Sequence, residues 1–475
     1  MVEVGADQLA IGDLVAVARD GAPVSIAGGV HERMEASRKL ALRIAERGDP
    51  VYGLTTAVGV RKRVSVDQLA DRAFALRVLT DHRAGQGAPV STEIARGTML
   101  CLAHGLARGY AGVRPALVER LVTALNAGEA PSIRVFGSSG QGDVVPLAEL
   151  ALAVFDGLEL GPKEGIALIN TNAFATAIAA LAVHDTERLL RDLVTCAAFD
   201  LEAYRANLSP LHDAVVASRR FPGVHRAIGE LREVLADSAL WQPATARNLQ
   251  DPLSFRNAAE VLGAGFDLVA FAVDQVGRML DSSQENPLLL VDEDRAISVA
   301  NYEAQPLAAA LDVARIGLVP LLTTQAERTL KLLQASQTGL RDGLAAPGNA
   351  DESGLSELVW PIQAIAIEAK LLAQPVSVET GSSIQAEGIE DRHTMAPLGG
   401  RRLGELVGLG DRLAALAMIV ACQAIELRGT ALGATLGGVF AAVRGEVAFV
   451  GSGETLPESV ESLVEAIRSG AASGS

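Results

Sequence analysis

The chain is poor in aromatic rings, cysteine, positive charge and long apolar runs, and each shortage excludes something. Only 4% of its 475 residues are Phe, Trp or Tyr although 49% are hydrophobic, so Ala, Leu and Val must fill the core. Three cysteines, Cys101, Cys196 and Cys422, are too few and too scattered for a disulfide framework or a zinc site. Lys and Arg number 41 against 57 Asp and Glu, leaving a net charge of −16. Such a chain is a poor partner for nucleic acid, whose phosphates need cations; the charge favours solubility. No uninterrupted apolar run reaches about 18 residues, so the sequence predicts no membrane span. Even Leu413–Ala424 is short and meets Gln423. The start, Met1–Asp7, has neither the basic nor the apolar region of a signal peptide. These absences lead us to expect a cytoplasmic protein that handles a small molecule and holds no metal.

What is present is helical periodicity. Val144–Val154 places Leu147, Leu150, Ala151 and Val154 on one face. Arg188–Leu201, Asn257–Leu280, Leu307–Gln334, Leu355–Ala373 and Leu403–Gly429 read as further long helices, most of them bounded by Gly, Pro or Asn. Strand signals are weak, the clearest being Val447–Val450. The tail 469–475 reads as frayed. The expected fold is all-α, a long central helical bundle with a smaller loop-rich N-terminal region. We divide it at residue 195 into 1–195 and 196–475.

Several short blocks carry more chemistry than the helices. Gly137-Ser138-Ser139-Gly140-Gln141-Gly142-Asp143-Val144-Val145-Pro146-Leu147-Ala148 resembles the G-S-x-G-A-S-G-D-x-x-P-L-A loop of the histidine and phenylalanine ammonia-lyases. Val51-Tyr52-Gly53-Leu54-Thr55-Thr56-Ala57-Val58-Gly59 is similar to that family's Y-G-x-N-T-G-x-G, and Leu79–Gly85 to its L-x-S-H-x-x-G. Gly109–Pro115, Leu125–Gly128, Pro162–Asn170, Gln250–Arg256 (Q-D-x-Y-S-x-R), Asn286–Leu288 and Glu390–Met395 follow in the expected order. The resemblance covers most of the chain. It implies the ammonia-lyase type of bundle, with the site loops in 1–195, and a homotetramer whose active sites are shared between subunits.

In that family Ala-Ser-Gly cyclises and dehydrates into an electrophilic methylidene-imidazolone, MIO. Here a single Gln141 stands where the family has Ala-Ser. The expectation is therefore that MIO is absent and that no other cofactor replaces it. Ser138-Ser139-Gly140 remains as an alternative tripeptide, three residues out of register.

The resemblance also implies roles. Tyr52 matches the catalytic acid/base and Arg256 the carboxylate clamp, whose planar fork suits a carboxylate. Asn170 and Gln250 match amides around cofactor and substrate, Glu390 an acid near the substrate amine, and Tyr302 an aromatic lining the site. His82 matches a substrate-side histidine. Each has a structural alternative: a packed loop tyrosine, ion pairs for Arg256 and Glu390, backbone bridging for the amides, a core ring for Tyr302, a local hydrogen bond for His82. Gln141 could add a donor, and the Gly142-Asp143 step into a helix could offer free N–H groups to a developing oxyanion.

Departures cluster about the cofactor position. Leu253 stands where the family has Tyr, Thr55-Thr56-Ala57 replaces Asn-Thr-Gly, and Thr171-Asn172 replaces Gly-Thr. This pattern, with Tyr52 and Arg256 in place, points to an enzyme of this fold that works without MIO. It would perform acid/base chemistry beside a carbonyl: conjugate addition, cyclisation, isomerisation or elimination, in specialised metabolism. The alternatives are a true ammonia-lyase or aminomutase with a Ser-Ser-Gly MIO, and a non-catalytic ligand-binding homologue.

Overall fold

The computed structural model describes residues 1–378 and 385–472. Tail residues 473–475, part of the segment read as frayed, lie outside the described residues. Helices carry the architecture, and among the described residues the strands come as three two-stranded pairs of three to four residues each.

Contacts divide the chain into two units that interleave along the sequence, where the sequence reading placed one boundary at residue 195. The first comprises Met1–His184, Ala272–Asp312 and Pro375–Arg401. The second comprises Asp185–Phe271, Val313–Gln374 and Arg402–Ser475.

Within the first unit, five helices precede residue 143: Ile11–Arg19, Val30–Arg47, Phe74–Asp81, Thr92–Ala107 and Pro115–Asn126. Thr92–Ala107 is its central helix, with Ala95–Ala103 buried without interruption. Arg96, buried within it, donates to Val17 O at 2.9 Å and Leu125 O at 3.1 Å. It thereby adds a cationic donor to carbonyls at the C-terminal ends of two neighbouring helices. Pro115 starts its helix with the φ that a first turn requires. The strand Arg134–Phe136 pairs with Gln86–Pro89 and delivers the chain into loop 137–143. The hairpin Leu288–Leu290 and Arg295–Ile297 lies between Asn286 and Tyr302 in sequence. Strands thus place loops, and helices hold the strands.

The second unit holds the greater part of the long helices Ala173–Tyr204, Gln305–Leu332 and Ala396–Arg428. Several of their buried charges are paired. Arg328 Nε and Gln325 Nε2 both donate to Asp200 Oδ2 at 2.7 Å, and Arg188 bridges Asp192 at 2.6 Å and Asp411 at 2.7 Å. Helix Gln305–Leu332 is long and apolar enough to cross a membrane, but 61% of its most apolar window is buried inside the protein. Its hydrophobicity serves packing.

Helix Val144–Val154 has the bounds that its periodicity predicts. Ala173–Tyr204 begins well before the expected Arg188, because residues 173–183 are buried on every side and show no polar face to read. Val447–Val450 is not a strand. Its last residue is instead bracketed by one side chain: Gln423 Nε2 donates to Val450 O at 2.9 Å and Gln423 Oε1 accepts Val450 N–H at 3.1 Å. An amide side chain supplies the pairing that a neighbouring strand would give.

Candidate functional site

Tyr52 sits on a turn in which the amides of Leu54, Thr55 and Thr56 all donate to Val51 O at 3.0–3.2 Å. Gly53 turns the chain at φ +69°, and a Cβ there would meet Ile166 Cγ2 at 2.8 Å, so only glycine fits. Beneath the turn lies Gln68, buried. Its Nε2 donates to the carbonyls of Gly53 and Leu54 at 2.9 and 2.8 Å, and its Oε1 accepts the Lys163 N–H at 2.9 Å. Lys163 in turn pairs with Glu285 at 2.8 Å, both buried. Thr55, which departs from the family pattern, is structural: Oγ1 accepts Val51 N–H at 2.8 Å and donates to Asp49 O.

The Tyr52 hydroxyl accepts the Gly59 N–H at 2.9 Å. Burial raises its pKa above the ordinary phenol value; Glu390 and Tyr302 raise it further, and the Gly59 bond opposes them. Tyr302 is shifted the same way by burial, then Glu390, then Glu303. Burial also raises Glu390, helped by Asp391 and opposed by His393. Tyr52, Tyr302 and Glu390 therefore share one electrostatic neighbourhood in the first unit. There the phenols keep their protons, and the carboxyl is moved toward neutrality.

Loop 137–143 lies in the same unit. Gly140 (φ +86°) is pressed against residues 394–396, where a Cβ would strike Thr394 Oγ1. Ser139 O accepts Met395 N–H, and Gly140 O accepts the Thr394 hydroxyl, both at 2.8 Å. Ser138 Oγ donates to Asp143 Oδ1 at 2.5 Å and accepts the Gly140 N–H at 3.0 Å. Asp143 is buried and also accepts Ala175 N–H at 2.8 Å; burial pushes its pKa up to about 6 against these hydrogen bonds.

Two expectations for this loop are narrowed by its hydrogen bonds. Gly142 N–H is already given to Asn172 Oδ1 at 2.8 Å and Asp143 N–H to Thr171 O at 2.6 Å, so neither is free for an oxyanion. Gln141 is partly engaged as well: its backbone bridges that of Glu303, and one of its two Nε2 N–H groups is given to Glu303 Oε2 at 3.1 Å. Its Oε1 is the group left over, buried and without a partner among the described residues.

Asn170 Nδ2 donates to Asn286 O at 3.0 Å, a backbone bridge, while its Oδ1 approaches Gly142. The carbonyl of Tyr302 is held by Asn172 Nδ2. His82 caps the helix Phe74–Asp81 and donates Nδ1–H to Val78 O at 2.6 Å, the local bond that was its structural alternative. Gln250 and Arg256 belong to the second unit, where Arg256 Nη1 donates to Gln250 Oε1 at 2.8 Å. Arg256 pairs with no carboxylate among the described residues, and its Nε is buried and unpartnered. Leu253, on the same helical turn, is 59% exposed.

The sequence reading missed three contributors. Gln68 lies between motif blocks with nothing to mark it. Glu303 sits in Asn301-Tyr302-Glu303, read only for its aromatic ring. The Lys163–Glu285 pair joins residues 122 positions apart. Among the described residues no group of three or more His, Cys, Asp or Glu is placed to hold a metal ion.

Comparison with known proteins gives the family and the fold. The aromatic amino acid lyase family model matches residues 9–158 and 154–445. The histidine ammonia-lyase of Symbiobacterium thermophilum is 31% identical over 99% of this chain and 97% of its own length. Among solved structures, the ergothioneine-degrading ergothionase of Treponema denticola, in complex with desmethyl-ergothioneine sulfonic acid, superimposes with a TM-score of 0.92. It is 26% identical, and the match covers 98% of both chains. The tyrosine aminomutase of Streptomyces globisporus shares the fold, with a TM-score of 0.90 at 24% identity over 99% of this chain and 97% of that one. The chain belongs to the aromatic amino acid lyase family.

Proposed function

We propose that this lyase-family enzyme works without MIO, moving protons beside the carboxylate or carbonyl of a small substrate that brings its own activation. Conjugate addition, cyclisation, isomerisation and elimination from such a substrate all fit. Gln141 carries this reading. MIO needs a β-hydroxyl to eliminate, and Gln has none. The tripeptide left beside it, Ser138-Ser139-Gly140, is engaged otherwise: Gly140 N–H is bonded to Ser138 Oγ, and the Ser139 and Gly140 carbonyls are held by Met395 and Thr394. The residues present do not fit the group.

In the proposed chemistry Tyr52 is the proton donor, because burial and the neighbouring Glu390 and Tyr302 keep the phenol protonated. Glu390, raised by burial, is the better proton acceptor near neutral pH. The same reading takes a homotetramer with shared sites, a small carboxylate substrate held by Arg256, and a cytoplasmic setting. A stable, active monomer in light scattering would contradict the assembly.

A second reading is a true ammonia-lyase or aminomutase with a Ser-Ser-Gly MIO. It draws support from the histidine ammonia-lyase relatives and from Ser139, which has the required hydroxyl. Tritiated borohydride separates the two, since hydride adds to the MIO methylidene. The proposed enzyme should retain no label after denaturation and digestion, whereas label on a peptide spanning 138–140 would establish the second reading.

A further inference from the structure

The strand pair that leads into loop 137–143 has little support of its own. Gln86–Pro89 and Arg134–Phe136 pair antiparallel, with an irregular register between Gln86 and Pro89. Every residue of the first strand is exposed, and in the second only Val135 is half-buried. A two-stranded ribbon of this kind is marginal in water. Beside it opens a cavity of about 540 Å³, whose wall includes Arg83, Gln86, Ser132, Arg134 and Glu149. All of these belong to the first unit.

Two cations and one acid line this cavity, in a chain whose net charge is −16. The acid is committed to backbone. Glu149 Oε2 accepts the Arg134 backbone N–H at 2.6 Å, and Oε1 packs against Gly85, where a Cβ would come within 2.5 Å of it. Arg134 Nη1 donates to the Gly87 carbonyl at 3.3 Å. Neither guanidinium bonds a carboxylate among the described residues. Arg134 stands on one strand, and Arg83 just before the other. A carboxylate offers two oxygens in one plane and occupies one guanidinium fork. A phosphoryl dianion offers three, so it can engage both, with the Gln86 amide and the Ser132 hydroxyl as neutral donors. We infer that this cavity is an effector site for a phosphoryl dianion, which clamps Arg83 to Arg134 and so steadies the strand pair that carries loop 137–143.

The test is calorimetric titration with inorganic phosphate, adenosine monophosphate and acetate, at about pH 8 and with ionic strength matched by chloride. The wild type should bind phosphate with a Kd on the order of 1 mM or below, and acetate at least about tenfold more weakly. Arg83→Gln and Arg134→Gln should each weaken phosphate by at least about tenfold, the loss of one charge-assisted fork. Both side chains are exposed, so the variants should keep the fold, which circular dichroism checks. Adenosine monophosphate separates the sources of the dianion. Binding tighter than phosphate assigns a phosphorylated metabolite, whose remainder fills the cavity; equal or weaker binding assigns free phosphate. Phosphate should also slow amide exchange at residues 86–88 and 134–140 in the wild type and in neither variant.

No phosphate binding up to about 10 mM, acetate bound as tightly as phosphate, or a phosphate affinity that survives either substitution would each overturn the site. Binding without local slowing of exchange would overturn the clamp. Residues 138–141 are not among those lining the cavity, so neither result depends on the MIO-free reading.

Discussion

The Tyr52 turn and the 137–143 loop lie in the same unit but are built in opposite ways. Under the turn, polar groups are paired in series: Gly53 and Leu54 carbonyls on Gln68, Gln68 on Lys163, Lys163 on Glu285. The loop is equally well tied at Ser138, Ser139, Gly140 and Asp143, yet Gln141 Oε1 is buried with no partner among the described residues. A fully satisfied scaffold holds a reactive group still; one unsatisfied acceptor in such a scaffold is where a ligand can return free energy. The turn is tied through to Glu285, whereas the loop holds one buried acceptor that no described residue satisfies.

The comparison can be broken at its most sensitive point first. Tyr52→Phe deletes the transferable proton and little volume. It should lower kcat/KM by about 10²–10⁴-fold with an unchanged circular dichroism spectrum. Near-native turnover would remove Tyr52 from catalysis, and wild-type inactivity on every activated carboxylate tried would favour the ligand-binding homologue.

Next comes the foundation of the turn. Lys163→Met strands the Glu285 carboxylate in the core and should cost about 3–5 kcal/mol in urea unfolding; a loss under 1 kcal/mol would mean that water reaches the pair. Gln68→Met should cost about 1–3 kcal/mol by orphaning two carbonyls. It should also speed amide exchange at residues 54–56 well beyond the global change, whereas uniform acceleration would make Gln68 a packing residue only.

The smallest effect concerns the loop. The folded-state pKa of Asp143, about 6, lies above its unfolded value, so the folded chain binds the extra proton between about pH 4 and 6. This group's contribution therefore falls as pH rises through that window, with a limiting slope of about 1.4 kcal/mol per pH unit, and is level above it. Asp143→Asn has no such proton. The stability difference, wild type minus variant, should grow on acidification from pH 6 to pH 4, and a constant difference would mean that Asp143 is not shifted.

Sequence reading reached the parts of this site that are local. Tyr52, Gln141 and Glu390 lie in blocks whose order alone identifies them, and Val144–Val154 declares itself by period. Gln68, Glu303 and Lys163–Glu285 do not, because their meaning is a contact across long separations, 162 residues for Gln141–Glu303. Gly142 and Asp143 are not among the free donors of this helix start for the same reason: Asn172 and the Thr171 carbonyl, some 30 residues on, already accept those N–H groups. Helix-terminus logic counts the orphan groups of one helix and cannot see a distant acceptor.

The central claim is that the chain carries its chemistry without a cyclised tripeptide. Intact-mass measurement tests it most directly, because MIO formation expels two waters from the backbone. The account predicts the mass of the unmodified sequence, apart from any loss of Met1. A mass lower by two waters, localised by peptide mapping to Ser138–Gly140, would contradict it.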